Sequence, residues 1–288
     1  AKCPVYFAPA MHLDMYKHPC TLSSFSALKQ FGNTIIPAES GELASGLSGE
    51  GRMAEPENII AFLEADLESK LPLKGKKILI TAAPTYEAID PVRFIGNHSS
   101  GKMGFDIANE AAKLGAKVIL VAGPTHFKIK SNLVEVVNVV SAQEMYNACH
   151  LHYNEVDVAI AAAAVADYRP KVVALQKIKK AADEFSIELE KTKDILASLG
   201  AIKKEQFLIG FALETENEIE NAKLKIQKKN LDLIVLNSLQ DEGAGFKKET
   251  NKVTFIDKDF KIEPMELKSK ESVAADILNK VILHFVKL

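Results

Sequence analysis

The sequence predicts an α/β protein built on an open, doubly wound, mostly parallel Rossmann-like sheet with a C-terminal β-hairpin, and three observations carry that expectation. From Lys77 onward, apolar runs of strand length alternate with segments of helical period. The first of these close a βαβ unit, with strands at 77–83 and 117–122 around a helix at 100–115. Lys252–Asp257 and Phe260–Glu263 flank a turn at Lys258–Asp259, which predicts the hairpin.

Taken in order, residues 1–70 form a separate first region. Val5–Ala8 is strand-like and begins without a methionine, which reads as a truncated start. Prolines and glycines from Pro9 to Pro56 punctuate a loop-rich stretch, and an amphipathic helix from Glu57 to about Leu67 ends it. Residues 71–75 read as a linker, leaving 76–288 for the second domain. There the helix after the first strand carries Met103, Ile107, Ala108 and Ala111 on one face and Lys102, Asn109 and Lys113 off it. Ser99 or Ser100 is expected to cap that helix and Gly115 to end it. Further strands are expected at 134–139, 157–164, 207–212 and 232–236, and helices at 141–153, 193–204 and 215–229. Val273, Ile277, Val281 and Phe285 mark a final helix packed on the sheet.

Composition excludes several classes. A net charge of −2 with scattered basic residues gives no reason to expect nucleic-acid binding. No apolar run approaches the roughly 20 residues a membrane helix needs. Cys3, Cys20 and Cys149 show no metal-binding spacing and fit a reducing cytoplasm.

Chemistry concentrates in three places. Asp90–Gly104, DPVRFIGNHSSGKMG, lies between a strand and a helix, where Gly101, Gly104, free helix N–H groups and Lys102 would attract an anion. The plainer alternative is a turn shaped by its glycines; neither the Walker A spacing nor G-x-G-x-x-G is present. Ala161–Ala164 then form a run of small residues at a strand end, suited to a flat ring, a ribose or simply close packing. Asp167 just beyond is a candidate magnesium ligand, and Lys177 in KIKK either neutralises a triphosphate or is a solvated basic residue. At a third strand end, Phe211 either stacks on a base or fills the core. Lys225 and Lys229, four residues apart on one helix face, either clamp phosphates or are surface charges.

The order TAAPTYEAIDPVRFIGNHSSGKMG, AAAAVADYRP, KIKK, GFALET, KKNLDLIVLN and a late GF-containing loop resembles the phosphopantothenate–cysteine ligase family of coenzyme A biosynthesis, over nearly all of 76–288. The first region resembles the C-terminal part of the FMN-dependent phosphopantothenoylcysteine decarboxylases fused upstream in bacteria. There APAMHLDMY looks like the substrate-binding P-x-M-N-x-x-M-W, and SGELASGLSGEGRMAEP looks like the catalytic flap. The resemblance implies that 4′-phosphopantothenate attacks CTP to give an acyl-cytidylate, which cysteine then converts to product. It assigns Asn97 to the acyl-cytidylate and Lys177 to its formation, and places Arg93 near the phosphopantothenate, in its own site or across a dimer interface. Ala163 and Ala164 fall beside cytosine and substrate. Asp167, Phe211, Lys225, Lys229 and the loop Glu190, Lys191, Thr192, Lys193 fall at nucleotide-binding positions, with Mg2+ expected on Asp167. Thr192-Lys193 stands where the family usually has Asn-Pro, which puts side-chain contacts there in doubt.

In the decarboxylase-like region, His12 replaces the motif asparagine and Ser45 replaces the flap cysteine that donates a proton. A hydroxyl is a far weaker acid than a thiol of pKa about 8.5, and His12 is either a carboxylate binder or a surface histidine. The expectation is therefore that this chain alone neither retains FMN nor decarboxylates, and that it assembles as a homo-oligomer through the ligase dimer. Two other readings remain compatible: an NAD(P)-dependent Rossmann oxidoreductase, opposed by the missing glycine fingerprint, and a non-catalytic regulatory subunit, opposed by Asn97, Asp167 and Lys177 standing together.

Overall fold

A computed structural model describes residues 2–43, 46–179, 186–214, 216–238 and 249–286. The chain divides into two units, Ala1–Leu71 and Pro72–Leu288. In the first, Tyr6–Phe7 pairs in parallel with Thr34–Ile35, and Glu39–Glu42 pairs antiparallel with Ser48–Arg52. Its helices are Leu13–Lys17, Pro19–Gln30 and Pro56–Ser69. The 12-residue helix at Pro19 corrects the loop expectation. Proline occupies its first turn, where the missing N–H costs nothing, and His18 Nδ1 caps it by accepting from the Cys20 amide at 3.2 Å. The helix buries none of its side chains, so no apolar stripe marks it in the sequence.

The second unit is organised by an eight-stranded sheet. Its strands in chain order are β1 (Lys77–Ala82), β2 (Lys117–Ala122), β3 (Val134–Asn138), β4 (Val158–Ala161), β5 (Phe207–Glu214), β6 (Leu233–Ser238), β7 (Val253–Asp257) and β8 (Ile262–Pro264). Their spatial order is β8-β7-β6-β5-β4-β1-β2-β3. The six from β3 to β6 are parallel; β7 and β8 are the expected hairpin, antiparallel to their neighbours. The chain leaves β1 in one direction for β2 and β3, then returns to place β4 on the other side of β1. Such a reversal opens a crevice beyond the carboxyl ends of the two central strands.

The period of two along each strand assigns side chains to opposite faces. Ile78, Ile80, Leu120, Ile160 and Val235 pack with helices α1 (Lys102–Lys113) and α5 (Lys270–Val286). Leu79, Val121, Ala159, Leu208 and Ile234 pack with α2 (Ala142–His152), α3 (Ile195–Ile202) and α4 (Glu218–Lys229). Each fully buried aliphatic side chain contributes about 1.5–3 kcal/mol, so both faces of the sheet are anchored. Helix α1 can approach β1 closely because residue 104 is glycine: a Cβ there would lie 2.5 Å from the Ala82 Cβ.

Boundaries differ from expectation where side chains displace backbone partners. The strand expected at 157–164 ends at Ala161. The buried Thr81 and Thr85 hydroxyls accept from the Ala163 and Ala166 amides at 3.2 and 3.0 Å, drawing the chain out of the ladder. Neither Ser99 nor Ser100 is the cap of α1. Gly101 holds that position at φ 88°, while the two serine hydroxyls accept from the Gly101 and Lys102 amides. Among the described residues no helix is long and apolar enough to cross a membrane.

Candidate active site

At the reversal point the ends of β1 and β4 are tied together. Ala83 adopts φ 69°, a left-handed conformation that costs a non-glycine residue about 1–2 kcal/mol. Its carbonyl accepts from the Ala164 amide at 3.0 Å, and the Ala164 carbonyl accepts from the Thr85 amide at 3.4 Å. The same Ala164 carbonyl accepts from Asn97 Nδ2 at 3.2 Å. The Asn97 amide is thereby set beside Ala163 and Ala164 at the sheet edge.

Two antiparallel ribbons flank this edge: Tyr86–Ala88 with Phe94–Gly96, and Tyr168–Pro170 with Leu189–Lys191. The tip of the first holds Asp90, whose buried carboxylate accepts from the Val92, Arg93 and Ile178 amides at 2.8, 2.9 and 3.1 Å. Arg93 Nη2 lies 2.6 Å from that carboxylate and donates to the Ile178 carbonyl at 2.6 Å. Burial alone would raise the Asp90 pKa, but these donors and the guanidinium outweigh it and hold the carboxyl at about 2. Asp90 and Arg93 therefore clamp the backbone next to Lys177, which is itself exposed. Lys180, the last residue of KIKK, lies outside the described residues, as do Ser45 and the GF pair of the late loop.

A cavity of about 530 Å³ opens on one side of the β4 end, lined by Ala163, Asp167, Lys191–Asp194, Phe211 and Lys229 among others. Thr192 shapes its rim: its hydroxyl donates to the Ala166 carbonyl at 2.7 Å and its amide to the Asp167 carbonyl at 2.9 Å. Glu190 is engaged by Arg169 at 2.7 Å, Lys229 by Asp194 at 2.8 Å, and Lys225 by Glu214. Lys193 lies over the Tyr146 ring at 4.6 Å. Asp167, Lys191, Thr192, Lys193, Phe211 and Lys229 thus line one cavity, while Glu190 and Lys225 are not part of its lining. No cluster of three or more His, Cys, Asp or Glu suited to a metal occurs among the described residues. The exposed Asp167 suits the hard, oxygen-liganded binding of magnesium, which takes one or two carboxylates and completes its shell with phosphate oxygens and water.

A second cavity, of about 180 Å³, lies across Ala163 and Phe211, which line both. Its wall comprises Ser99–Met103, the ends of β4, β5 and β6, Asn251 and Lys270. Lys102, the cation expected to face an anion here, is already paired: its ammonium donates to both Asp106 oxygens at 3.0 and 3.2 Å, with Glu249 at 3.6 Å. Burial works against its charge, yet these carboxylates raise its pKa.

Sequence reading gave no role to Asp90 itself, Asn237, Asn251 or Lys270. Asn237, at the end of β6, accepts from Asn251 Nδ2 at 3.2 Å. Lys270 carried a signal that went unused, because a cation in the first turn of a helix opposes the helix dipole, and such local conflicts gather at functional sites.

Comparison with known proteins adds an independent line. Residues 73–284 match the family described as DNA/pantothenate metabolism flavoprotein C-terminal domain, and residues 1–68 match the family described as Flavoprotein. A curated relative from an unknown prokaryotic organism, named Cysteine/Cysteine sulfinic acid decarboxylase, is 52% identical, covering 98% of this chain and 80% of its own. The Coenzyme A biosynthesis bifunctional protein CoaBC of Bacillus subtilis (strain 168) is 45% identical, covering 98% of this chain and 70% of its own. The crystal structure of the C-terminal domain of a CoaBC protein superposes with a TM-score of 0.65 at 46% identity, covering 76% of this chain and all 100% of that one.

Proposed function

This chain belongs to the DNA/pantothenate metabolism flavoprotein family, and on that premise we propose that its second unit joins 4′-phosphopantothenate to L-cysteine, using CTP to activate the carboxylate. A carboxylate is a poor acyl donor. Its oxygen attacks the α-phosphorus of CTP, the bond to the β-phosphate oxygen breaks and pyrophosphate leaves, giving an acyl-cytidylate. The cysteine amine then forms the amide bond at the acyl carbon, CMP departs and the amine loses a proton. Asn97 supports this reading: its side-chain amide donates to the carbonyl of Ala164, which lines the smaller cavity and adjoins Ala163, which lines both.

The larger cavity suits the nucleotide, with Phe211 as the stacking surface and Lys191, Lys193 and Lys229 around the phosphates. Lys225 supports them from outside that wall, and Lys177, presented by the Asp90–Arg93 clamp, reaches the charge that moves onto pyrophosphate. Magnesium held by Asp167 would supply further neutralisation of the phosphates. Because Glu190 is paired with Arg169, its contribution is through the backbone. We also propose a homodimer through the ribbons, where Val92, Phe94, Val172 and Leu175 are exposed. Arg93 would reach a partner's substrate only by leaving Asp90. The compartment proposed is the cytoplasm, where the exposed Cys3 and Cys20 thiols stay reduced.

Decarboxylation is assigned to the flavoprotein half of the relatives' assemblies and to no step of the first unit as it stands. His12 Nδ1 is turned to its own helix, accepting from the Asp14 amide at 3.4 Å. Retention of a yellow flavin spectrum, or carbon dioxide release from phosphopantothenoylcysteine, cysteine or cysteine sulfinic acid with FMN supplied, would overturn that assignment. The ligase reading is tested by supplying 4′-phosphopantothenate, cysteine, magnesium and CTP and following pyrophosphate. CTP-dependent release is expected; its absence removes the reading.

A further inference from the structure

Lys193 and Lys229 both line the larger cavity, but they are held differently. Lys229 is paired with Asp194, whereas Lys193 makes no ion pair among the described residues. Its ammonium lies instead 4.6 Å from the centre of the Tyr146 ring, on α2. A cation over an aromatic face is attracted by the ring's quadrupole without being neutralised. A carboxylate partner has to be displaced before a lysine can meet a phosphate. The ring holds Lys193 and leaves its charge uncompensated.

The backbone on either side of Lys193 is fixed. Thr192 is tied to the Ala166 and Asp167 carbonyls through its hydroxyl and its amide, at 2.7 and 2.9 Å, and Asp194 caps α3 by accepting from the Ala197 amide at 2.9 Å. What remains free is the exposed side chain of Lys193, whose flexible four-carbon stem has many rotamers. The ring that restricts it is held in turn. Tyr146 packs against the buried cluster on its side of the sheet, and the His150 ring, one helical turn on, lies 4.2 Å from it. His150 Nε2 is 2.9 Å from Ser198 Oγ on α3, and that hydroxyl donates to the Ile195 carbonyl at 2.7 Å. With its one proton given to Ile195, Ser198 accepts from His150, which assigns the hydrogen to Nε2. Burial, and then the Lys193 charge, hold the His150 pKa below its ordinary value, so near neutrality the imidazole adds no second cation beside the Tyr146 ring.

We propose that Tyr146 is a positioning residue for the nucleotide: its ring face, braced by His150 and Ser198, holds the Lys193 ammonium at the cavity wall to meet the phosphates of a nucleoside triphosphate. The inference rests on the nucleotide reading of the larger cavity, and not on which acid is activated there. The family resemblance does not supply it, because Lys193 stands at one of the two loop positions that depart from the family pattern. Tyr146 is not part of the cavity lining and acts only through Lys193. Its influence is therefore on nucleotide binding more than on the chemical step.

The test is calorimetric titration of the whole chain with magnesium and either CTP or ATP, which share the triphosphate. Tyr146→Leu, and Tyr146→Met as a second replacement nearer in volume, remove the ring face. Each should weaken binding of both nucleotides about two- to fivefold, as an exposed cation–π contact implies. Tyr146→Phe keeps the face and should stay within about 1.5-fold of wild type. Lys193→Met should weaken binding about fivefold or more, and Lys193→Arg, which also stacks on a ring, should retain most of it. Adding Tyr146→Leu to Lys193→Met should change binding by less than about 1.5-fold further, the non-additivity that action through Lys193 requires. In turnover, Tyr146→Leu should raise the KM for CTP and leave kcat unchanged. Thermal melts confirm that each variant is folded. Unchanged binding in the ring-deleting variants, an equal loss in Tyr146→Phe, full additivity in the double variant, a fall in kcat alone, or no triphosphate bound by wild type overturns the proposal. A Tyr146 effect on triphosphate binding that disappears in the Lys193→Met background upholds it even if wild type releases no pyrophosphate from CTP, an outcome that removes only the ligase reading.

Discussion

The two cavities on either side of Ala163 and Phe211 solve the same electrostatic problem differently. In the larger one two cations are half exposed and held by carboxylates: Lys229 by Asp194, and Lys225 behind it by Glu214. Exposed pairs of this kind are worth about 0–1 kcal/mol, so a polyphosphate can take the lysines over at little cost. In the smaller one Lys270 is nearly buried and unpaired among the described residues. The first arrangement suits a ligand that must arrive and, as pyrophosphate, depart. The second leaves a nearly buried ammonium without a carboxylate partner among the described residues.

The largest expected effect falls at the junction. Asn97→Asp replaces a donor with a like charge beside the acyl phosphate, and turnover to product should fall about 100-fold or more. Acid-quenched reactions should then show accumulated acyl-nucleotide; full activity would remove the role given to Asn97.

A smaller effect is expected from the clamp, which belongs to neither cavity but holds the backbone beside Lys177, the residue proposed to act on the phosphates. Asp90→Asn weakens the hold on Ile178, and activation of the carboxylate should slow about tenfold. Hydrogen exchange should show residues 176–178 losing protection. The wild-type carboxyl is depressed from 3.8 to about 2. Its contribution is therefore fully present above the ordinary value and is lost as pH falls toward 2. Protection at 176–178 should hold from pH 7 to about pH 4 and decline below; a loss of protection near pH 6 would contradict the clamp.

The smallest effect sharpens the comparison itself. Asp194→Asn keeps the cap that Asp194 gives to α3 but releases Lys229. The nucleotide KM should fall by about two- to fivefold at low ionic strength, and the difference should vanish as salt screens it. A raised KM would mean that the pair is part of the bound site and not a resting partner.

The sheet was readable because burial on both faces writes continuous apolar runs, and the helices because amphipathic stripes mark α1 and α5. What escaped was structure fixed by polar side chains. The early end of β4 depends on Thr81 and Thr85, 82 and 81 residues away from the amides they satisfy. The helix at Pro19–Gln30 buries nothing, so no period announced it. For the candidate site, the motifs pointed to segments that the fold brings to two adjoining cavities, but not to which lysine there is left without a carboxylate. Lys102 stood beside the glycines in sequence, yet Asp106, one turn along its own helix, takes its charge. Lys270 arrives from 168 residues farther on, through a two-residue ladder too short to recognise beforehand.

The central claim is that the nucleotide activates the carboxylate before any amine is needed. It is tested by mixing the chain with CTP, magnesium and 4′-phosphopantothenate, leaving cysteine out, and following pyrophosphate in a rapid-quench experiment. The account predicts a burst of about one pyrophosphate per chain, with CMP released only when cysteine is added. Pyrophosphate that appears only in the presence of cysteine, or not at all, would contradict it.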